Sequence, residues 1–213
     1  MIKILQVRNI DSFVESRRQK TSEKDRKTVQ SILNDVRKNG DSAVKKYEQK
    51  FNGRKTSQLR VSAKEIKEAR SKISREEVTA LQTMSARLSN SSPKIQIRGS
   101  RKFVAIPSVG CYIPGGQARY PSSVVMSVIP AKIAGVKRIV IVSPPDRDGK
   151  IDPLTIVAAK KCGATEIYKI GGAQAIGALA YGTKSIPKVD KIVGPGGKFV
   201  SIAKSLVSDQ TAI

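Results

Sequence analysis

Histidine and tryptophan are absent from this chain of 213 residues, which also has only two cysteines and 4% aromatic residues. Without histidine, the chain cannot build a Ser-His-Asp or Cys-His site, a histidine general base or a histidine-liganded metal from its own side chains. The two cysteines, Cys111 and Cys162, allow at most one disulfide and cannot form a four-cysteine zinc site. These classes of site and a disulfide-rich scaffold are therefore excluded.

Acidic residues are also scarce, since 17 Asp and Glu stand against 40 Lys and Arg, for a net charge of +23. Such a basic protein could bind nucleic acid, an anionic membrane or a phosphorylated ligand. The basic pairs, however, are scattered along the chain, and few aromatic residues accompany them. We therefore expect most of this charge to lie on solvated helix faces, while a basic nucleic-acid-binding protein stays open as an alternative.

Long apolar runs are missing too. The longest, residues 124–136, is broken by Ser127, Pro130 and Lys132, whereas a membrane helix needs about 20 apolar residues. The apolar start at residues 1–5 is too short for a signal peptide. The cysteines do not form a CxxC pair, so we expect a cytoplasmic protein in reducing conditions, with no membrane partner.

Residues 1–104 are predicted to form a mainly helical N-terminal region. Apolar residues within 29–36 recur at the spacing of one helix face, and Asp41 is placed to cap the next helix. Ser62 and Ser74 each begin the pattern Ser-x-x-Glu, the capping box that opens a helix. Helical hairpins therefore dominate the first half of the chain.

Residues 105–213 alternate strand and helix patterns, which predicts βαβ units, a parallel sheet and hence an α/β fold. Ligands of such sheets bind at the carboxyl ends of the strands. Two further extended segments are predicted at residues 59–61 and 95–97. The predicted strands are 109–113, 138–142, 166–170 and 191–193, and the predicted helices are 122–134, 152–161, 173–181 and 199–207.

Three of these four strands are followed by glycine-rich turns, at residues 114–116, 171–172 and 194–197. Glycine lets the backbone approach a phosphate, and the next helix offers free N–H groups. A single turn of this kind is more often a plain tight turn, but three on one sheet edge favour a nucleotide or phosphorylated ligand. The last turn is not the GxGxxG fingerprint, because Phe199 stands where the third glycine would be.

Four side chains of residues 105–213 are candidates for a functional role. Tyr112 precedes a Pro-Gly-Gly turn, so a stacking or hydrogen-bonding role competes with plain packing. Gln174 lies just inside the helix after a Gly-Gly turn, where an amide can face a ligand, although a solvent-exposed glutamine is the default expectation. Cys111 is expected in the core, and Cys162 is better explained as a buried packing residue than as a reactive thiolate.

Several of these segments together resemble histidinol dehydrogenase. They are residues 109–116 (VGCYIPGG), 171–176 (GGAQAI) and 189–196 (VDKIVGPG). The resemblance covers residues 105–213 nearly continuously, whereas residues 1–104 resemble the family's helical N-terminal region more loosely. It implies a helical region over 1–104 followed by an incomplete Rossmann-like NAD-binding domain over 105–213.

The family is an oxidoreductase of histidine biosynthesis. It oxidises L-histidinol to L-histidine with two NAD molecules in succession, uses zinc and forms a homodimer. Carried over to this sequence, its NAD contacts fall on Tyr112, Gln174 and Gly197. Gly197 departs from the family, which has asparagine there, so that amide contact cannot form.

The resemblance places the zinc ligands, the acid–base pair and the substrate-binding residues in a half of the family that this sequence does not contain. We therefore assign no catalytic and no metal-binding residue, and expect a truncated, inactive fragment. The apolar faces of its helices would then need another partner, such as a second copy of the chain. A non-catalytic nucleotide- or anion-binding remnant is the further alternative.

Overall fold

The structure is a computed structural model, and it describes residues 9–17, 22–53, 58–91, 104–116 and 118–213. The strand predicted at residues 95–97 lies outside this part of the chain. The helices are α1 (Ile10–Arg17), α2 (Glu23–Asn39), α3 (Asp41–Asn52), α4 (Ala63–Ser71), α5 (Arg75–Ser91), α6 (Pro121–Ile133), α7 (Pro153–Cys162), α8 (Gly172–Tyr181) and α9 (Lys198–Leu206). The strands are β1 (Ser108–Tyr112), β2 (Arg138–Ser143), β3 (Glu166–Lys169) and β4 (Lys191–Val193).

The four strands form one parallel sheet in the order β3-β2-β1-β4, which confirms the predicted α/β fold. The chain reverses its direction across the sheet between β1 and β4, and ligands of open α/β sheets bind outside the carboxyl ends of the strands at such a point. At one edge, Leu59 and Val61 bond to β3, with Lys169 N–H donating to the Leu59 carbonyl at 2.7 Å. At the other edge, Ala212 pairs in parallel with Lys191.

Helices cover both faces of the sheet, as the alternating side chains of β2 show. Val140 and Val142 belong to the apolar cluster shared with α2, α3, α8 and α9, whereas Ile139 and Ile141 belong to the cluster shared with α4 to α7. Strand side chains alternate between faces, so a strand buried on both sides is apolar throughout.

Helices α2 to α5 pack apolar residues within this chain, contrary to the expectation that they need an outside partner, whereas α1 leaves Ile10 73% and Val14 49% exposed. Val29, Leu33 and Val36 on α2 are 0% exposed. They share a core with α8, where Leu33 and Val36 approach so closely that a Cβ on Gly177 would meet them at 3.1–3.3 Å. The described helices α2 to α5 thus pack on the α/β unit itself.

Of the three capping residues predicted in the N-terminal region, two are confirmed and one is not. Ser62 and Ser74 both form capping boxes, each bonding reciprocally with the glutamate three residues later. The capping role of Asp41 was wrong, because Gly40 is the N-cap of α3. The Asp41 carboxylate instead accepts hydrogen bonds from the Thr183 and Ser185 hydroxyls at 2.5 and 2.6 Å, which ties α3 to the turn after α8.

Both cysteines are buried and unpaired, as expected for packing residues. Burial raises the pKa of the Cys111 thiol to about 12 and also raises the pKa of Cys162, so neither is a thiolate at neutral pH. Among the described helices, none is both long and apolar enough to cross a membrane.

Candidate functional site

A cavity of about 260 Å³ lies where the carboxyl ends of the strands meet the start of α8. It is enclosed by the N-terminal helices on one side and by the α8 and α9 turns on the other. We call it the strand-end cavity, and the side chains and backbone that line it include Thr28, Ile32, Asn52, Gly172, Gln174 and Phe199.

A buried carboxylate stands behind this cavity. Glu48 on α3 is 0% exposed, and its Oε1 accepts hydrogen bonds from the Gly171 N–H at 2.9 Å and the Gln174 Nε2 at 2.8 Å. Its Oε2 accepts from Asn52 Nδ2 at 2.6 Å. Burial raises the pKa of Glu48, and these three hydrogen bonds oppose that rise because they favour the charged form.

The hydroxyl of Tyr112, at the end of β1, lies beside the same start of α8. The ring is 5% exposed and packs in the core, and its hydroxyl oxygen accepts the Gly172 N–H at 3.1 Å. Burial raises its pKa, so the hydroxyl keeps its proton and has one O–H left to donate. This geometry favours a hydrogen-bonding part for Tyr112 over a stacking one.

Gln174 carries a polar atom without a partner. The residue is 2% exposed, and its Oε1 is a buried side-chain atom that accepts no hydrogen bond from the described residues. An unsatisfied buried acceptor costs about 1–3 kcal/mol. Gly172 makes room for it, since a Cβ there would lie 2.7 Å from Gln174 Oε1, and its φ of +59° also favours glycine. An unpaired acceptor on a cavity wall points to a ligand that donates a hydrogen bond.

The start of α9 differs from that of α8. Gly197 is its N-cap without a side-chain cap bond, and none of the described residues lies within 4 Å of the position that a Cβ would take there. A second cavity of about 640 Å³, the α9 cavity, lies beside Gly197, Lys198 and Arg26. Lys198 forms an ion pair with Asp25, which leaves positive potential from Arg26 and the helix dipole at this end.

The turn that leads into α9 makes close contacts with α9 and with β1. Lys204 Nζ donates to the Gly194 carbonyl at 2.6 Å, and desolvation lowers the pKa of this lysine. Gly194 has a φ of +99°, and a Cβ there would overlap the Tyr112 carbonyl oxygen. The α9 turn is therefore fixed directly against the end of β1.

The structure brings two of the three expected cofactor residues together at the strand-end cavity, and the third lines the neighbouring α9 cavity. Tyr112 and Gln174 meet at Gly172, whereas Gly197 lines the α9 cavity, and Phe199 connects the two because it lines the strand-end cavity from α9. Sequence reasoning missed Glu48 and gave Phe199 no role in binding. No sequence pattern marks Glu48, whose bond to Gly171 spans 123 residues.

Comparisons with known proteins agree on one family. The histidinol dehydrogenase family model matches residues 15–213. Histidinol dehydrogenases of Methanosarcina barkeri and Geobacillus kaustophilus are each 44% identical to this chain, over 88% and 90% of its length, and it covers 46% and 48% of theirs. The crystal structure of histidinol dehydrogenase from Elizabethkingia anophelis matches 96% of this chain and 50% of that one, with a TM-score of 0.85 and 32% identity. The chain thus spans about half the length of the curated relatives it matches.

Proposed function

The chain belongs to the histidinol dehydrogenase family, and from this premise we propose that it supplies the NAD-binding part of an enzyme that oxidises L-histidinol to L-histidine. The observation that carries the proposal is the unpaired Gln174 Oε1 in the wall of the strand-end cavity. NAD fits such a wall because it carries hydroxyl and carboxamide donors, and it accepts the hydride when the alcohol is oxidised.

The residues of this chain bind and orient the nucleotide in the proposal. Gln174 Oε1 accepts a hydrogen bond from it, and the Tyr112 hydroxyl donates one. The pyrophosphate lies at the open N-terminus of α9, where the Gly197 backbone, with no side chain in the way, receives it. The proposal does not place the pyrophosphate at the start of α8, since Glu48 and Tyr112 already accept its Gly171 and Gly172 N–H groups.

Zinc, which the family also implies, does not fit the residues present. The chain has no histidine. Throughout the part that the structure describes, no three His, Cys, Asp or Glu side chains group as a metal site would require. The buried thiols of Cys111 and Cys162 have raised pKa values that disfavour the thiolate a metal needs. We therefore assign no zinc ligand and no catalytic acid or base to this chain.

The remaining predictions concern organisation. A division into a helical region over residues 1–104 and a Rossmann-like domain over 105–213, a homodimer and a cytoplasmic location all stay predictions. Membership of an enzyme family does not favour the nucleic-acid-binding alternative.

A calorimetric titration of the 213-residue chain with NAD tests the proposal. Saturable binding of one NAD per chain is expected, and no binding at millimolar NAD would overturn the cofactor role. Incubation with histidinol, NAD and zinc should yield no NADH from this chain alone. Turnover above background would overturn the assignment of no catalytic residue.

A further inference from the structure

The buried carboxylate of Glu48 needs an explanation that packing alone does not provide. Burying a charge is costly unless hydrogen bonds compensate, and an apolar residue would fill the same volume without that cost. Glu48 is nonetheless 0% exposed, behind the strand-end cavity. Two of the three hydrogen bonds that it accepts come from the start of α8, where Gly171 is the N-cap and Gln174 lies in the first turn.

The bond between Glu48 and Gln174 determines which end of the Gln174 amide faces the cavity. A carboxylate can only accept, so only the NH2 end of the amide can turn toward it. With Nε2 donating to Glu48 Oε1 at 2.8 Å, the Oε1 end of the amide points away from the carboxylate and toward Gly172, and both residues line the strand-end cavity. Without a fixed acceptor behind it, the two ends of the amide could exchange places.

The same carboxylate excludes a phosphate at this position. Its Oε1 occupies the Gly171 N–H, which a phosphate at the α8 terminus would use, and its charge repels an anion. The residues around the strand-end cavity thus provide an unpaired acceptor at Gln174 and no free Gly171 N–H for an anion.

We propose that Glu48 is a positioning residue, which commits Gln174 to act as a hydrogen-bond acceptor and so selects an uncharged hydrogen-bond donor for the strand-end cavity. This rests on the proposed function: in NAD the matching groups are a ribose hydroxyl or the NH2 of a carboxamide or adenine, and the phosphates lie elsewhere.

Nuclear magnetic resonance of the full chain tests the positioning directly. The side-chain NH2 signals of Gln174 are identified by their loss in Gln174→Met. Their hydrogen exchange is compared with that of Gln49, an exposed residue next to Glu48 on α3. Exchange at Gln174 is expected to be slower by about tenfold or more, because its NH2 is buried and bonded. Equal exchange rates would overturn the proposal whether or not any variant folds.

Three variants then connect the positioning to binding. Glu48→Leu removes the acceptor, so exchange at Gln174 should become faster and the Kd for NAD should rise about tenfold. Glu48→Gln keeps an acceptor oxygen and should stay within about threefold of the unaltered chain in both measurements. Gln49→Leu, a matched change on the exposed side of α3, should alter neither.

The two proposals fail in different ways. A folded Glu48→Leu protein with unchanged Gln174 exchange and unchanged NAD affinity would overturn the role of Glu48 and leave the cofactor assignment standing. If the unaltered chain binds no NAD, the cofactor assignment fails, and the exchange at Gln174 still decides whether Glu48 orients the amide.

Discussion

The starts of α8 and α9 follow the same plan, a parallel strand and a glycine turn leading into a helix, yet they differ in what satisfies the helix. At α8, Glu48 and Tyr112 accept the Gly171 and Gly172 N–H groups. At α9, the N-cap Gly197 has no side-chain cap bond and faces open space. Side chains of the protein thus satisfy two N–H groups at the start of α8, whereas the N-cap of α9 is available to an anion.

Gly171 and Gly197 differ in how much space surrounds them. A Cβ on Gly171 would lie 2.7 Å from the Pro144 ring, so this glycine lets the chain pack against itself. In the described part of the chain, no atom lies within 4 Å of a Cβ built on Gly197. Glycine-rich turns therefore do not by themselves report a phosphate site, and the groups that already occupy the N–H donors distinguish the two uses.

The largest expected effect comes from adding one methyl group to each turn. Gly171→Ala should lower the free energy of unfolding by about 1–3 kcal/mol, because the turn has to shift away from Pro144. Gly197→Ala, the matched control, should lower it by less than Gly171→Ala does, because a Cβ meets no described residue there, although alanine is a poorer N-cap than glycine. Urea denaturation measures both, and equal losses would remove the distinction between the closed and open turns.

Removing one hydroxyl at the closed turn should have the next largest effect. Tyr112→Phe leaves the Gly172 N–H without its acceptor, so we expect a loss of about 1–2 kcal/mol in stability together with weaker NAD binding. Tyr120→Phe is the control, because Tyr120 is 38% exposed and lies outside the site. If the two variants are equally stable, the Tyr112–Gly172 bond does not close the α8 terminus.

The open terminus can be closed by design. Gly197→Asp places a carboxylate at the N-cap of α9, which should stabilise the chain by about 0.5–1 kcal/mol and weaken NAD binding, because the carboxylate competes with the pyrophosphate. Gly197→Asn adds a neutral cap and the amide that the family resemblance implies, so NAD should bind more tightly. Calorimetry separates the two, and tighter NAD binding by Gly197→Asp would place the phosphates elsewhere.

The smallest expected effect is a pH dependence from Glu48. Its folded pKa is raised by burial, so between the ordinary glutamate pKa and this raised value the folded chain binds more protons than the unfolded one. This group therefore makes stability fall as pH rises through that window. Glu48→Gln removes the contribution, and its stability relative to the unaltered chain should increase from pH 4 to pH 7 in urea denaturation. A constant difference would contradict the pKa shift.

Much of the fold could be predicted from the sequence because it depends on local patterns. The β4 strand at 191–193 was predicted with the bounds observed, and the capping boxes at Ser62 and Ser74 formed as their spacing requires. Helix α1 was not predicted. The prediction that Asp41 caps α3 was wrong because Gly40 is the N-cap. The Asp41 carboxylate instead accepts hydrogen bonds from residues far along the chain.

The site was less predictable, since it depends on contacts between distant segments. Gln174 stood out because it follows a glycine turn, but its unpaired oxygen results from Glu48, which lies 126 residues away. Likewise, the buried ring of Tyr112 follows from packing in the sheet rather than from its motif. Local spacing can locate a turn, and only the folded chain shows which of its donors are already used.

The most direct test is a map of backbone amide shifts as NAD is added to the unaltered chain. Because NAD is proposed to reach from the strand-end cavity to the open start of α9, the largest changes should fall on residues 171–174 and 197–199. The residues around Gly135 at the end of α6, on the other face of the sheet, should not respond. Changes centred on α6, or none at millimolar NAD, would contradict the assignment of the nucleotide site.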